Sequence, residues 1–584
     1  MARENVRPPH HHDLDRSIAI AKILMLCFIA EHNLPFLLAD HFTELCRNMF
    51  PDSEIAQSLH MKRTKCSEMA KQFGNKIHDD VVSQLRINKF SLVIDETTDV
   101  STTKCLSVLV KYFDSHGGTI KTRLLDLIDV YENHSSNVGS SGESLFEMIM
   151  HILNSNNIPL NNLVGLAADG ASNIMGAYNS LSSRLRQHLP DLKIFKCICH
   201  SIHLCASEAS KVLPRQCEDL LRNIYTHFSH SAKRKYEFLQ FQKLFSLKPH
   251  KLLHVSQTRW LSLHQAVERV LEQWEALKQY FVSIEGVEKL RSINLIVNDL
   301  NDPSIYAYFN FLNFILPFCN NFNLLFQRET PTIYLVHFHV NRLYKNTIQY
   351  FCRNEIVNKS KIEHFDPSQE VKYIPLSNIY LGDSVHTLLQ KEEYYKNVDM
   401  VADIRRRCRL FMIKLCEEIK KRFQLQDDLW EMASLFNPEK VLDPTTRDVM
   451  PSLAPLVAKV PRLYDGDLQT LDNEWRHLDS TPIPLDITPQ TYKPVDFYLK
   501  LGSYKFDNTY LFKSVATFAL NILALPVTNT DAERLFSKLN LIKTDVRNSL
   551  SIDSVKALTY ISESVKEQGC CYNFQPSENL MNIL

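Results

Sequence analysis

The spacing of apolar residues changes along this chain of 584 residues, and the change limits the folds that it can adopt. Apolar residues recur at helical intervals before about residue 85 and again after about residue 265. The stretch between them contains short apolar runs that predict five strands and two helices: strands at 90–94, 105–113, 119–130, 163–168 and 193–197, and helices at 144–153 and 179–189. The glycine-containing connection 114–119 predicts a hairpin turn. We therefore expect a mixed α/β sheet with helical crossovers, accompanied by regions that are mostly α-helical.

Three acidic residues occur where strands or helices of this pattern could present them to one site. Asp95 follows the apolar residues 91–94, and Asp169 follows the apolar residues 163–168. Glu533 lies far downstream, in a segment with helical spacing. Three carboxylates that converge from distant segments could hold two divalent cations for phosphoryl transfer.

Each acid also has a simpler explanation. Asp95 could cap a turn, Asp169 could belong to an ordinary strand-to-helix turn, and Glu533 could lie at the exposed edge of an amphipathic helix. The neighbouring Glu96 and Asp99 are expected to face solvent or to cap a turn.

Five potential metal ligands fall within the nine residues from Cys197 to Cys205. Cys197 and Cys199 would share one face of a strand, and His200 and His203 would lie three residues apart on a helix. Structural zinc sites usually draw pairs of ligands from two separated segments. A packed junction between a strand and a helix is therefore the simpler explanation.

One of the four tryptophans lies in a short polar segment that could contact nucleic acid. Arg259 could hold a phosphate, and Trp260 could stack on a base taken out of a duplex. The alternative is an arginine stacked on a half-buried tryptophan in a helical core. No phosphate-binding loop, dinucleotide fingerprint, HExxH motif or GxSxG motif occurs elsewhere.

The composition gives no sign of a strongly basic nucleic-acid binder. The 66 Lys and Arg residues balance 66 Asp and Glu residues, so contact with DNA would depend on local patches. The basic runs at 233–235, 405–409 and 420–422 could supply such patches, or could be solvated helix faces. Fourteen scattered cysteines without a secretory leader predict reduced thiols, and the apolar run 18–30 is too short to span a membrane.

In their order along the chain, these motifs resemble those of the hAT superfamily of DNA transposases and of proteins derived from them. The resemblance covers most of the chain, and its ordered blocks are far more specific together than any single one. The blocks are AEHNLPF (30–36), MFPDS (49–53), IDETT (94–98), ADGASN (168–173), CICH (197–200), TRW (258–260), DAERLFS (531–537) and KTDVRNSL (543–550).

The resemblance implies an RNase H-like catalytic core that is interrupted by a large helical insertion. It implies that Asp95, Asp169 and Glu533 are catalytic and bind Mg²⁺ or Mn²⁺. Cys197 and His200 would lie beside the active site, where they and the Arg259–Trp260 pair would contact DNA, with the tryptophan stacked on a flipped base. A last helical block would mediate self-association, and the protein would act on transposon-end DNA in the nucleus.

These expectations divide the chain into six parts. They are a disordered lead-in (1–14), a helical N-terminal region (15–88), the first part of the core (89–264), the helical insertion (265–486), a dimerisation region that completes the core (487–566) and a tail (567–584).

One departure from the family pattern leaves two functions open. Such transposases commonly begin with a BED-type zinc finger, and this sequence has no CxxC…HxxxH pattern. A neutral chain without that module is expected to bind DNA weakly, because phosphate neutralisation supplies much of the affinity. The two hypotheses are a transposase that cleaves and transfers DNA strands, and a domesticated nuclear protein that dimerises without cutting DNA.

Overall fold

The structure is a computed structural model, and its residues form two compact units. One unit combines Met1–Cys197 with Leu435–Leu584, and the other comprises Ile198–Ser434. No helix within the described ranges is long and apolar enough to cross a bilayer. The residues described are 9–131, 139–250, 253, 261–288, 290–425, 427–481 and 493–581.

Four helices open the first unit: α1 (Pro9–Glu31), α2 (Leu38–Met49), α3 (Glu54–Ser58) and α4 (Arg63–Ile87). The helix α1 begins inside the range 1–14 that the sequence predicted as a disordered lead-in, and residues 1–8 lie outside the described residues. It ends at Glu31, just before the segment 33–36. Pro35 cannot continue a helix there, and Asn33 adopts a positive φ of 53°.

A five-stranded mixed sheet follows, as the sequence predicted. The antiparallel strands β1, β2 and β3 form one side of the sheet, and β4 and β5 continue it in parallel with β1, in the order β3-β2-β1-β4-β5. The predicted hairpin joins β2 to β3, and three helices lie between the later strands. The elements are β1 (Phe90–Thr98), β2 (Lys104–Asp114), β3 (Thr119–Asp129), α5 (Gly142–Ser155), β4 (Leu163–Ala168), α6 (Ser172–Met175), α7 (Leu181–His188) and β5 (Lys193–Lys196).

The sheet has its apolar centre in β1 and β4. Residues 90–94 of β1 and all six residues of β4 are buried, which explains why both runs are mostly apolar rather than alternating; Ser91 is the polar exception in β1. The helices α5 and α7 are fixed at their starts by serine caps. The Ser141 hydroxyl accepts a hydrogen bond from the Ser144 backbone N–H at 3.2 Å, and Ser180 and Ser183 form a reciprocal capping box.

The second unit is built from helices, with one isolated β-bridge between Cys352 and Tyr373 among its described residues. Within it, α8 packs against both α14 and α19. The helices are α8 (Ile198–Ser210), α9 (Gln216–Ser229), α10 (Ala232–Leu244), α11 (Leu261–Glu272), α12 (Trp274–Ile284), α13 (Arg291–Asn301), α14 (Pro303–Phe326), α15 (Val336–Gln349), α16 (Asn354–Lys359), α17 (Asp383–Leu389), α18 (Glu392–Tyr395), α19 (Val398–Phe423) and α20 (Asp428–Ser434).

The chain then returns to the first unit and covers its sheet. Helices α26 and α27 contact β2, α27 also contacts β1, and α28 packs on both β3 and α4. The elements are α21 (Pro438–Val441), α22 (Thr445–Val449), α23 (Ala454–Lys459), α24 (Leu468–His477), α25 (Pro494–Ser503), β6 (Lys505–Phe506), β7 (Thr509–Tyr510), α26 (Lys513–Leu523), α27 (Thr530–Ile542), α28 (Ile552–Glu567) and α29 (Glu578–Met581).

Candidate active site

Strand register brings two of the predicted acids to neighbouring positions. Ile94 on β1 pairs with Ala168 on the parallel strand β4. Asp95 is the next residue of β1 and Asp169 directly follows β4, so both lie at the carboxyl end of the parallel pairing, the usual position of a site in an α/β sheet. The Asp95 carboxylate accepts a hydrogen bond from the Glu96 backbone N–H at 2.9 Å, and that of Asp169 accepts one from the Ala171 N–H at 3.0 Å.

The first turn of α27 brings the third acid to the same place. Asn529, at the start of this helix, donates a hydrogen bond from Nδ2 to Asp95 Oδ2 at 3.0 Å. Glu533 follows four residues later and therefore lies on the same face of the helix. It is half-buried, and its charge acts on the Asp95 carboxyl.

The electrostatics of Asp95 show how closely the acids are grouped. Burial of its carboxyl is the largest effect that raises the pKa, and the neighbouring Asp169 and Glu533 carboxylates raise it further, to about 8. The hydrogen bond from the Glu96 N–H opposes this rise. Asp95 is therefore largely protonated at neutral pH when no cation is present.

Glu96 belongs to the site, contrary to the expectation that it faces solvent or caps a turn. Its side chain is only 15% exposed, because Oε2 binds the Lys104 ammonium at 3.2 Å and accepts a hydrogen bond from Asn173 Nδ2 at 3.1 Å. Lys104 also donates to the Ser140 hydroxyl. Asn173 also donates to the Ser140 carbonyl oxygen. This network holds the segment before α5 against the end of β1.

Asp99 has the capping role that was expected of it, and an ion pair in addition. Its Oδ1 accepts hydrogen bonds from the backbone N–H groups of Ser101 and Thr103, and its Oδ2 contacts Lys543 Nζ at 2.7 Å. Burial alone would raise the pKa of Asp99, but Lys543 and the two N–H groups together lower it. This ion pair attaches the end of α27 to the turn between β1 and β2.

A cleft of about 250 Å³ opens at the acids, lined by residues 95–98 together with Lys104, Asp169, Ala171 and Ile174. Two buried acceptor atoms at this place, Glu96 Oε1 and Asn529 Oδ1, have no hydrogen-bond partner within the part of the chain that the structure describes. Mutually repelling carboxylates and unsatisfied acceptor oxygens are suited to a hard divalent cation such as Mg²⁺ or Mn²⁺.

The acids do not form a compact cage for a single ion. The oxygen atoms of Asp95, Asp169 and Glu533 are not all within 4.8 Å of one another. Two cations about 4 Å apart need ligands spread over a wider span than one ion does. As they stand, the three carboxylates therefore do not surround one ion, and two ions or a closer approach of the side chains would be needed for all three to bind metal.

Cys197 also lies at this edge of the sheet. Its N–H donates to the Ala168 carbonyl oxygen at 2.9 Å, so it directly follows β5 beside Asp169, and it is buried. The expectation that Cys197 and Cys199 share one face of a strand is wrong, because α8 begins at Ile198. His200 is half-buried on that helix, with its ring centroid 6.3 Å from that of His203.

The remaining candidates for DNA contact divide into two groups. Arg259 and Trp260 lie outside the described residues. The basic runs on α19 have acidic partners on the same helix, as expected of a solvated helix face: Arg406 and Arg407 pair with Asp403, and Arg422 pairs with Glu418.

Sequence patterns did not reveal Asn529, Lys104 or Asn173 as parts of this site. Asn173 lies inside the ADGASN block. Asn529 precedes Glu533 by four residues, so helical spacing could have indicated that the two side chains share one face of a helix. Lys104 pairs with Thr98 in the β1–β2 register, a relation that depends on where the connecting turn begins.

Two protein-family models match the first unit, one in each of the two chain segments that form it. Residues 38–180 match the family model described as the ZMYM1/FAM200 RNase-like domain, a range that includes Asp95 and Asp169. Residues 493–565 match the hAT family C-terminal dimerisation region, which includes Glu533. The chain is also similar to General transcription factor II-I repeat domain-containing protein 2 of Bos taurus, with 24% identity over 200 residues. That match covers 33% of this chain and 20% of the relative.

The fold and these matches define a transposase-like protein of mixed α/β architecture with an RNase-like domain. More particularly, residues 493–565 match the hAT dimerisation region, in agreement with the resemblance of the motifs to hAT proteins, and this match supports self-association.

Proposed function

We propose that this protein cleaves and transfers DNA strands, with Asp95, Asp169 and Glu533 as the catalytic acids and Mg²⁺ or Mn²⁺ as the cofactor. One observation carries the proposal: Asp95 and Asp169 lie side by side at the end of the β1–β4 pairing, and Asn529, four residues before Glu533, donates to Asp95 Oδ2 at 3.0 Å. In this proposal the first unit is an RNase H-like core, and the helical unit Ile198–Ser434 is the insertion that interrupts it, with bounds that differ from the 265–486 expected from the sequence.

The residues around the cleft have distinct roles in this chemistry. Bound divalent cations would activate a water or a 3′-hydroxyl and stabilise the leaving oxygen. Asp95 and Asp169 would hold them from the sheet, and Glu533 from α27. Asn529 orients Asp95 through its hydrogen bond, and Lys104 offsets the charge of the neighbouring Glu96 through their contact at 3.2 Å.

The charge of the cleft sets the order of binding. A phosphate backbone that approaches several carboxylates is repelled unless cations offset their charge. DNA is therefore expected to engage the site after, or together with, the metal. Transposon-end DNA, contacts through Cys197, His200, Arg259 and Trp260, and action in the nucleus are parts of the same proposal.

The direct test is a nicking assay with purified protein, Mn²⁺ and DNA that carries the ends of the parent element. Asp95→Ala, Asp169→Ala and Glu533→Gln should each reduce cleavage to background. Asp129→Asn is the matched control, because Asp129 ends β3 of the same sheet and bonds only to its own turn in the contacts that are described. Wild-type protein that binds Mn²⁺ and this DNA but leaves it intact would refute the enzymatic role.

The alternative is a self-associating interaction protein that no longer cuts DNA. It is favoured by apolar side chains left in solvent within the dimerisation region: Val546 is 98% exposed and Leu541 is 62% exposed. Aliphatic side chains so exposed in a matched dimerisation region are candidates for an interface between copies of the chain.

Self-association is tested by sedimentation velocity of the whole protein. The double substitution of Leu541 and Val546 by Asp should shift the dimer to monomer. Val449→Asp is the control, because Val449 is 69% exposed but lies outside the matched region. A dimer that forms normally and never nicks DNA supports the interaction role, whereas a monomeric wild type contradicts it.

A further inference from the structure

Three side chains with different ligand atoms meet in the first unit, at a place that the proposed DNA chemistry does not use. Glu31 is the last residue of α1, His32 follows it, and Cys571 comes after α28, 540 positions beyond Glu31. One carboxylate oxygen, one imidazole nitrogen and the Cys571 Sγ all lie within 4.8 Å of one another. Among the described residues, this group alone brings three such atoms so close together.

The positions of these side chains are supported by other contacts. The Cys571 backbone N–H donates to Glu31 Oε2 at 3.0 Å, and that same oxygen lies 3.7 Å from His32 Nε2. The Phe28 ring packs against the His32 ring with centroids 4.8 Å apart, which restricts the imidazole. Cys571 is buried, whereas the His32 side chain is 52% exposed, so the cluster has a closed side and a side open to solvent.

The donor atoms indicate which cation would bind. A thiolate together with an imidazole and a carboxylate is a ligand set typical of Zn²⁺, and it discriminates against Mg²⁺, which prefers oxygen. Tetrahedral bonding to zinc places such ligand atoms roughly 3.4–3.8 Å apart. The ligand atoms already lie within 4.8 Å of one another, and rotation of the half-exposed His32 side chain can bring its nitrogen closer to the other two ligands.

We propose that Glu31, His32 and Cys571 form a zinc site that fastens the end of α1 to the segment after α28. The fourth position is taken by the adjacent Cys570 or by water. Binding releases the Cys571 thiol proton to solvent, so zinc affinity increases with pH. None of the three ligands belongs to the acidic cleft, and the role of the ion is structural.

The neighbouring contacts are consistent with a fastening role. The Arg547 guanidinium donates to the Asn33 carbonyl oxygen at 2.9 Å, and Arg16 pairs with Glu578 at 2.5 Å. Both contacts join the beginning of the chain to its end. The Arg16–Glu578 pair is exposed and therefore weak, so an ion in this region would add a stronger cross-link than the ion pair does.

The test uses the whole protein without DNA. Metal-free protein is titrated with Co²⁺, a spectroscopic substitute for Zn²⁺, and is separately dialysed against Zn²⁺ for metal analysis. Wild-type protein should show a thiolate-to-cobalt charge-transfer band and retain about one zinc per chain. Cys571→Ser should lose the band, and His32→Asn should weaken zinc binding by at least about tenfold.

Two further variants and a melting-temperature measurement complete the test. Cys46→Ser removes a half-buried thiol outside the cluster and should leave the band unchanged. Cys570→Ser distinguishes a cysteine from water in the fourth position. Zn²⁺ should raise the melting temperature of the wild type but not of His32→Asn, a half-exposed substitution compatible with folding. Absence of the band from the wild type, or wild-type zinc content in both Cys571→Ser and His32→Asn, would overturn the proposal, whatever the outcome of the nicking assay.

Discussion

Asp95 connects the sheet to the chemistry of the cleft, and its charge state depends on pH. Because burial and two neighbouring carboxylates raise its pKa to about 8, the folded protein binds a proton that the unfolded chain releases above about pH 4. The stability that comes from this proton is fully present below about pH 4 and is lost as the pH rises through 8.

We expect Asp95→Asn to remove this dependence, because an amide keeps the shape of the protonated carboxyl without its charge. In the presence of a chelator, the stability of the wild type relative to the variant should fall as the pH rises from about 4 to about 8, because folded Asp95 keeps a proton that the unfolded chain has released. The fall should be at most about 1.4 kcal/mol for each pH unit in this range, and it should stop above about pH 8, where both states have released the proton. Urea unfolding between pH 5.5 and 9.5 measures the difference. Parallel pH profiles for the two proteins would contradict the coupling of the three acids.

Asn529 is the residue outside the three acids that most directly controls the cleft. It is 2% exposed, and its Nδ2 donates to Asp95 Oδ2. Asn529→Ala leaves that oxygen without its donor and should cost about 1–3 kcal/mol of unfolding free energy at pH 6. Asn540→Ala, at an exposed position of the same helix, should change it by less than about 0.5 kcal/mol. Equal changes in unfolding free energy for the two substitutions would show that the Asn529–Asp95 hydrogen bond does not stabilise the protein.

At the level of elements, the contact between α4 and α28 depends on one small residue. A Cβ placed on Gly74 would lie 2.7 Å from Ala557 Cα and 3.0 Å from Ala557 Cβ. Glycine in a helix interior ordinarily costs up to about 1 kcal/mol relative to alanine. Gly74 is therefore retained against helix propensity because the two helix backbones approach closely.

Gly74→Ala should consequently destabilise the protein by about 1–3 kcal/mol, since overpacking outweighs the gain in helix propensity. Ser83→Ala on the exposed face of the same helix tests propensity alone and should be neutral or slightly stabilising. Both are measured by urea unfolding of the whole protein. A stabilising Gly74→Ala would mean that the two helices can move apart at little cost.

The strands were the elements that the sequence predicted best. The runs that became β1 and β4 are short, apolar and bounded by polar residues, so their positions follow from composition alone. Helix starts were harder to place. Ile198 begins α8 directly after Cys197, and the apolar pattern there fits a strand and a helix equally well, which produced the wrong assignment of Cys199.

At the scale of the whole molecule, the grouping of the acids could be predicted only through the resemblance to a family. Asp95 and Asp169 lie at the end of the parallel pairing between neighbouring strands, which a topological argument can anticipate. Asn529 and Glu533 come from a helix far along the chain. Asn529, which donates to Asp95, lies 434 residues beyond it. No local pattern encodes such a contact, because it depends on how the whole chain returns to the sheet.

The first unit is assembled from both ends of the chain, and each part covers apolar surface of the other. Tyr560 on α28 donates to the Leu125 carbonyl oxygen at 2.8 Å, and Lys556 pairs with Asp126 at 3.2 Å. Because α26, α27 and α28 pack on β1, β2 and β3, a chain that stops at residue 434 would leave one face of the sheet exposed. Each large apolar side chain thus uncovered forfeits about 1.5–3 kcal/mol.

We therefore expect a fragment of residues 1–434 to lack cooperative unfolding of its sheet, and co-expression with residues 435–584 to restore it. The break between the fragments falls where the two compact units divide, so it interrupts no helix. Hydrogen exchange of β1–β3 measures the outcome: these amides should exchange rapidly in the single fragment and slowly in the complex. A complex that carries Tyr560→Phe, which removes only the bond to Leu125, should retain most of that protection. Slow exchange in the isolated 1–434 fragment would show that the sheet is stable without the returning helices. The core would then fold independently of the dimerisation region.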